Sequence, residues 1–332
     1  MPRRLTVEQY FDGVVHRDRS VLGRAISLVE SKRPTDRRLA DVLIERCLQH
    51  PKQAIRIGMT GVPGVGKSTM LESFGMMLVN QGLHIAVLAI DPSSSRTGGS
   101  ILGDKTRMQH LSVHESAFVR PSPTDTHLGG VARKTREAMI ICEAAGFDVI
   151  IVESVGVGQS EITLTGMVDC FVALMLPNAG DELQGIKKGL LEWVDIIAIN
   201  KADGSNEQNA KLAQRDFQTA FHYLPPRYPG WQPKVLLTSA LHEIGIAELW
   251  TAIQEHQTFL KDSGTLQTLR QSQRVEWFTH TLQSSVWEQF IGHSIVRSNW
   301  NGILQQVRDG RISIHAAVES LLLDGSGHDP LD

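Results

Sequence analysis

The chain has 332 residues, 41% of them hydrophobic and 21% charged, which describes a soluble globular protein large enough for one sizeable core with appendages. Its net charge of −3 lacks the basic excess that a general nucleic-acid or membrane-surface binder carries, so neither partner is expected. Cys47, Cys142 and Cys170 are too scattered for a disulfide scaffold or a C-x-x-C site, and no apolar run of spanning length or signal-peptide core follows the start, so the expected location is cytoplasmic.

Residues 1–54 read as a helical extension. Thr6 with Gln9 has the spacing of a capping box. Val21, Leu22, Ile26 and Val29 form one apolar stripe, Leu39, Val42, Leu43 and Cys47 another, and Pro34 and Pro51 separate the pieces. Short runs rich in Val and Ile follow at 55–60, 84–91, 148–153, 170–176, 194–199 and 234–238, with helical spacing between them. Being apolar on both faces, they predict a mostly parallel sheet flanked by helices, an α/β fold with its ligand at the carboxyl ends of the strands. Beyond Gly264 the pattern is helical: Phe278, Leu282, Val286 and Phe290 step by four, and a last helix is expected near Ile312 to Leu323. That stripe packs on the chain's own core or on a second subunit. The second is favoured, because a tail added to a complete α/β domain has little core of its own to enter. The expected domains are therefore 1–54, 55–262 and 263–332.

The first strand runs into Gly61-Val62-Pro63-Gly64-Val65-Gly66-Lys67-Ser68-Thr69, a complete phosphate loop opening a helix. Its glycines let successive N–H groups face phosphate oxygens. Lys67 can reach the β and γ phosphates, and Ser68 can ligate Mg²⁺. Asn200-Lys201-Ala202-Asp203 follows a later strand and separates the nucleotides. The Asp203 carboxylate can accept from guanine N1–H and the 2-amino group. Adenine offers it a lone pair at N1 and nothing at position 2, and a buried polar group left unpaired costs about 1–3 kcal/mol or more. Lys201 would lie along the base plane, Asn200 would tie loops together, and the Thr238-Ser239-Ala240 turn would present a backbone N–H to guanine O6. GTP is thus the expected ligand.

Glu153 ends the apolar strand 148–153 and is followed by Ser154, Val155 and Gly156, the layout of a carboxylate that organises Mg²⁺ and its waters, with the Gly156 N–H near the γ-phosphate. Asp91, at another strand end, and Asp104, in the glycine-bearing loop 98–106, are read as further metal-side carboxylates, against the simpler alternative of turn formation. Lys67, Asp104 and Glu153 are thus the expected catalytic set. Val157 stands where many small GTPases place a water-orienting Gln, which predicts slow intrinsic hydrolysis that a partner or second subunit accelerates; Gln159, Lys187 and Lys188 are candidate helpers.

These motifs resemble the dimer-forming, SIMIBI branch of P-loop GTPases, and most closely its MeaB/ArgK/MMAA subgroup, the G-protein chaperones of adenosylcobalamin-dependent acyl-CoA mutases. The resemblance rests on Gly61 to Thr69, Asp91 to Ser94, Gly98 to Met108, Glu153 to Glu161, Asn200 to Asp203 and the Gly180–Gly189 string, in which Asn178 just upstream is a minor departure. It implies a G domain with an N-terminal helical extension and a C-terminal dimerisation arm. It also implies a third switch, in which Asp181, Gln184 and Lys187 or Lys188 couple nucleotide state to a mutase. The partners implied are a second copy, methylmalonyl-CoA mutase or a relative, and a cobalamin adenosyltransferase, with adenosylcobalamin carried by partner proteins alone. Val62 replaces the extra lysine of partition proteins. No Cys or His cluster of the nickel-delivery kind is visible, and His110 and His114, four residues apart, read as a solvated helix face. The rival readings are a P-loop kinase acting on an amino-acid transport component, which would need a base pocket tolerant of ATP, and a structural module that uses nucleotide only to dimerise.

Overall fold

Strands that are apolar on both faces need a helical layer on each side, and the computed structural model arranges them so. It describes residues 5–90, 108–120, 128–154, 163–177 and 188–326. Strands β1 (Ile55–Gly61), β2 (Ile85–Ile90), β3 (Ala117–Arg120), β4 (Val149–Ser154), β5 (Cys170–Met175), β6 (Ile196–Ile199) and β7 (Lys234–Leu237) form one sheet in the order β3-β2-β4-β1-β5-β6-β7, all pairs parallel. In chain order among the described residues the helices are α1 (Val7–Val15), α2 (Arg19–Glu30), α3 (Pro34–Leu48), α4 (Lys67–Asn80), α5 (Leu128–Ala144), α6 (Lys188–Leu191), α7 (Glu207–Tyr223), α8 (Ile246–Asp262), α9 (Thr265–Gly292), α10 (Ser294–Arg308) and α11 (Ile314–Ser326). One core joins Phe74 and Leu78 of α4, Ile57 and Met59 of β1, Val172 of β5 and Trp250 of α8. The chain divides into two units, Met1–Gln273, which holds the sheet, and Arg274–Asp332, which is helical.

Six of the strands fall where the apolar runs predict them; β3 is an addition at the sheet edge, too short to announce itself. The Thr6–Gln9 capping box forms, with Gln9 N–H donating to Thr6 Oγ1 at 3.3 Å and Thr6 N–H to Gln9 Oε1 at 3.0 Å. In α3 the stripe is corrected: Val42 is 49% exposed and Ala40 turns inward beside Leu43 and Cys47. His110 and His114 do not share a helix face. They bracket a single 3₁₀ turn, Leu111–Val113, because the Glu72 carboxylate on α4 accepts from the N–H groups of His110 and Leu111, while Ser116 N–H donates to His114 Nδ1.

The amino edge of the sheet is closed by a row of aspartates, each one residue ahead of a strand. Asp148 accepts from His84 N–H at 2.8 Å, Asp169 from Arg56 N–H at 3.0 Å and Asp195 from Phe171 N–H at 2.8 Å. Each satisfies a donor at the start of a neighbouring strand. Hydrogen bonds to a charged acceptor contribute about 1.5–3 kcal/mol each, and two of these carboxylates are also paired: Asp169 with Arg270, Asp195 with Arg227. Arg37–Glu137 and Arg56–Glu143 fasten α3 and β1 to α5 through two-pronged contacts of 2.8–3.0 Å.

Burial pushes the Cys47 thiol up to about 12 and raises those of Cys142 and Cys170 as well, with neighbouring carboxylates adding to the effect at both. Only the thiolate reacts, so the folded chain should react with a disulfide reagent at neutral pH more than about a hundredfold slower than the unfolded chain. Rapid modification of any of the three in the native protein would contradict this packing.

Candidate nucleotide-binding site

The site begins where the central strand β1 stops. A side chain at Gly61 would stand 2.7 Å from the Leu174 carbonyl of β5, so only glycine lets the chain leave the sheet here. Gly64 and Gly66 take positive φ angles of 82° and 97°, and Val65, fully buried, pins the loop between them. Gly66 is the N-cap of α4, so Lys67 and Ser68 lie in the helix's first turn.

The carbonyls of this loop are engaged from behind. Asn200 Nδ2 donates to Val65 O at 2.8 Å, Lys201 Nζ to Gly64 O at 2.8 Å and Lys67 Nζ to Gly61 O at 2.7 Å. A peptide unit is planar, so fixing the Val65 carbonyl on Asn200 aims the Gly66 N–H the opposite way. Together with the helix N-terminus this builds a concavity of donors suited to phosphate.

Asn200 also reaches the other side of the site. Its Oδ1 accepts from Ala240 N–H at 3.0 Å, and the side chain is 2% exposed. The turn after β7 is joined to the one after β6 by Ala202 N–H to Thr238 O at 3.0 Å, and it is closed by a Ser239–Ile244 bridge. Ser73 of α4 donates to Ala240 O at 2.6 Å, a link with no signature in the sequence. Lys201 sits at φ 60°, which turns the chain so that its ammonium crosses to the phosphate loop. Asp203 precedes a 3₁₀ turn without capping it, so its carboxylate is not spent on the backbone.

On the opposite flank Glu153 is the penultimate residue of β4, in register with Met59 of β1, and is 7% exposed. Ser154 beside it donates to Thr60 Oγ1 at 2.9 Å, a buried pair that locks β4 to β1. The Ser68 hydroxyl and Glu153 carboxylate are hard oxygen donors of the kind Mg²⁺ takes. The structure thus brings together the phosphate loop, Asn200, Lys201, Asp203, Thr238, Ser239, Ala240 and Glu153 at the carboxyl ends of β1, β4, β6 and β7. Asp91, Asp104, Gly156, Val157, Gln159, Asp181, Gln184 and Lys187 lie outside the described residues, and Lys188 opens α6.

One grouping was invisible in the sequence: Cys170, Asp195 and His256 bring their ligand-type atoms within 4.8 Å of one another, fully buried. Its carboxylate is already paired with an arginine, which balances the charge inside the core. Burial and the charges of Asp195 and Asp169 keep the Cys170 thiol protonated, and Arg227 already neutralises Asp195 at 3.2 Å.

A phosphate loop leaving the middle strand of a parallel sheet, with an Asn-Lys-x-Asp motif beyond a strand two places along, is the arrangement of a P-loop GTPase. The family model described as "Methylmalonyl Co-A mutase-associated GTPase MeaB" matches residues 22–294, and the chain belongs to that family. It is similar to the GTPase ArgK of Escherichia coli K12, with 48% identity over 304 residues covering 92% of each chain. It is also similar to the mouse protein "Methylmalonic aciduria type A homolog, mitochondrial", with 42% identity over 326 residues, covering 95% of this chain and 79% of that one. A solved structure titled "LAO/AO transport system kinase" superposes with a TM-score of 0.78 at 38% identity, covering 97% of this chain and 98% of that one. The chain is therefore a GTPase that binds guanine nucleotide, and none of its described helices is long and apolar enough to cross a membrane.

Replacing Asn200 with Ala leaves Val65 O and Ala240 N–H without their buried partner and unlinks the phosphate loop from the base-side turn. At about 1–3 kcal/mol per orphaned group, Asn200→Ala should weaken GDP binding by about tenfold or more while the fold survives, as titration with a fluorescent nucleotide would record.

Proposed function

We propose that Gly61 to Thr69 cradle the phosphates of GTP and that Asp203, with Lys201 and the Thr238–Ala240 turn, reads the guanine. Lys67 stabilises charge on the β and γ phosphates. Ser68, Glu153 and, by the sequence reading, Asp91 and Asp104 hold or organise Mg²⁺, which when bound neutralises phosphate charge. The observation that carries this reading is Asn200, whose one side chain hydrogen-bonds both the phosphate loop and the base-side turn. The kinase alternative needs a pocket tolerant of ATP. Asp203, with a carboxylate uncommitted to its own turn, argues for guanine instead.

The switch output is a partner protein. The family's description names methylmalonyl-CoA mutase, and that supports a role as chaperone of an adenosylcobalamin-dependent acyl-CoA mutase, gating cofactor loading and protecting or reactivating the enzyme. Adenosylcobalamin reaches the complex only through partner proteins, a cobalamin adenosyltransferase among them. Coupling runs through Asp181, Gln184, Lys187 and Lys188. The chain works as a homodimer, with residues 263–332 as the dimerisation arm. In support, Phe278, Leu282, Val286 and Trp287 of α9 are each at least half exposed, and so are Ile314, Leu322 and Leu323 of α11, an apolar surface that a second copy can bury.

Two measurements test this. Asp203→Asn replaces the acceptor of the guanine 2-amino group by a donor, so GTP affinity should fall at least about a hundredfold while xanthosine triphosphate, which carries an oxygen there, gains; unchanged GTP affinity would refute the base assignment. Purified methylmalonyl-CoA mutase should raise the GTP turnover number by about tenfold or more over the slow basal rate, and a basal rate of several per second that the mutase leaves unchanged would sink the chaperone reading.

A further inference from the structure

The turn after β7 meets α4 through one hydroxyl. Ser73 Oγ lies 2.6 Å from Ala240 O and 3.1 Å from Thr69 O, the carbonyl one turn earlier in its own helix. A hydroxyl has one proton to give, and the shorter contact, to buried Ala240, takes it.

Residue 240 is thereby gripped on both sides of its Cα. Its N–H donates to Asn200 Oδ1 at 3.0 Å, and its carbonyl accepts from Ser73. Peptide units are planar, so holding one group of each unit leaves Ala240 little freedom in φ and ψ. The rest of the turn is closed on itself. Ser239 and Ile244 exchange N–H···O bonds of 2.9 and 3.0 Å, and His242 N–H donates to Ser239 Oγ at 3.3 Å. Leu241 and Ile244 are 76% and 54% exposed, so apolar packing does little to place the tip. Its orientation falls to the two ties at residue 240, one from the end of β6 and one from α4.

The helix that supplies the second tie also opens the phosphate side. Lys67 and Ser68 occupy the first turn of α4, and Ser73 lies in the second. The placing of α4 does not need the hydroxyl: Phe74 is fully buried and meets Trp250 of α8 edge-on, ring centroids 6.1 Å apart.

We propose that Ser73 is a positioning residue for guanine-nucleotide binding, which fixes the base-side turn relative to the phosphate loop through the Ala240 carbonyl. Its hydroxyl is spent on backbone carbonyls, so it acts through Ala240 and not on the nucleotide itself. A ligand that spans both segments gains, because the turn is oriented before binding and no ordering cost falls on the complex. A ligand with phosphates and no base gains nothing. The inference rests on the reading that the Thr238–Ala240 turn meets guanine, which Asp203→Asn tests separately.

Ser73→Ala removes the hydroxyl and places a strong helix former in α4, whereas Ser73→Thr keeps a hydroxyl. GDP affinity should fall about fivefold or more in Ser73→Ala and stay within about twofold of wild type in Ser73→Thr. Pyrophosphate, which has no base, should bind all three proteins within about twofold of one another. The losses in Ser73→Ala and Asn200→Ala should combine to less than their product, because each loosens the same residue. A merely structural role would weaken GDP and pyrophosphate alike or leave Ser73→Ala unfolded, and either result overturns the proposal. So do unchanged GDP affinity in Ser73→Ala, a loss in Ser73→Thr equal to that in Ser73→Ala, or losses that multiply in full. If Ser73→Ala binds GDP like wild type while Asp203→Asn loses GTP, this proposal alone falls. If Asp203→Asn keeps its GTP affinity, the base-side reading falls and this proposal with it.

Discussion

The nucleotide site hangs on one buried amide. Asn200 leaves β6 with its nitrogen on the carbonyl of Val65 and its oxygen on the N–H of Ala240. The phosphate loop and the Asn200–Asp203 segment are far apart in sequence, and a bound nucleotide is rigid enough that the two must be held at a set separation. Asn200 supplies that spacing in the low-dielectric interior, where a hydrogen bond is strong and its loss expensive. The glycine at position 66 is part of the same contact, because a Cβ there would lie 2.7 Å from Asn200 Nδ2. Ser73 adds a second tie, from the phosphate-loop helix to the Ala240 carbonyl, so that three strand ends behave as one support.

The two edges of the sheet have opposite tasks. At the carboxyl edge the ends of β1, β4, β6 and β7 gather the phosphate loop, Glu153, the Asn200–Asp203 segment and the Thr238–Ala240 turn. At the amino edge, Asp148, Asp169 and Asp195 satisfy the first donors of neighbouring strands, and Arg270 and Arg227 neutralise two of them. The amino edge is thus closed with charge pairs, and the carboxyl edge is free to carry chemistry. The same economy explains the buried Cys170, Asp195 and His256. A strand-capping aspartate draws an arginine to it, and Cys170 and His256 gather around that carboxylate.

Much of the fold was legible in the sequence because burial on both faces leaves a mark: strands such as Val149–Ser154 and Cys170–Met175 are unbroken apolar runs. The phosphate loop and the Asn200–Asp203 motif were legible for a different reason. Their chemistry requires particular residue types at a fixed local spacing, and local spacing is what a sequence preserves. Helix faces with few residues were less secure. Val42 matched the period of α3 and yet faces solvent, since Ala40 lies on the side that meets its neighbours. His110 and His114 had helical spacing, but the Glu72 carboxylate, 38 residues away from His110, stops the segment at one 3₁₀ turn.

The sequence by itself determined the ligand class, the α/β order and the phosphate-loop and Asn200–Asp203 motifs, because each depends on a motif or a period within a few residues. Only the tertiary structure decided the strand order, the edge strand β3 and the row of aspartate caps. It also decided the double role of Asn200 and the link from Ser73 to Ala240. Those are contacts between residues from 24 to 167 positions apart, and their partners are chosen by which polar groups the packed sheet would otherwise leave buried without one.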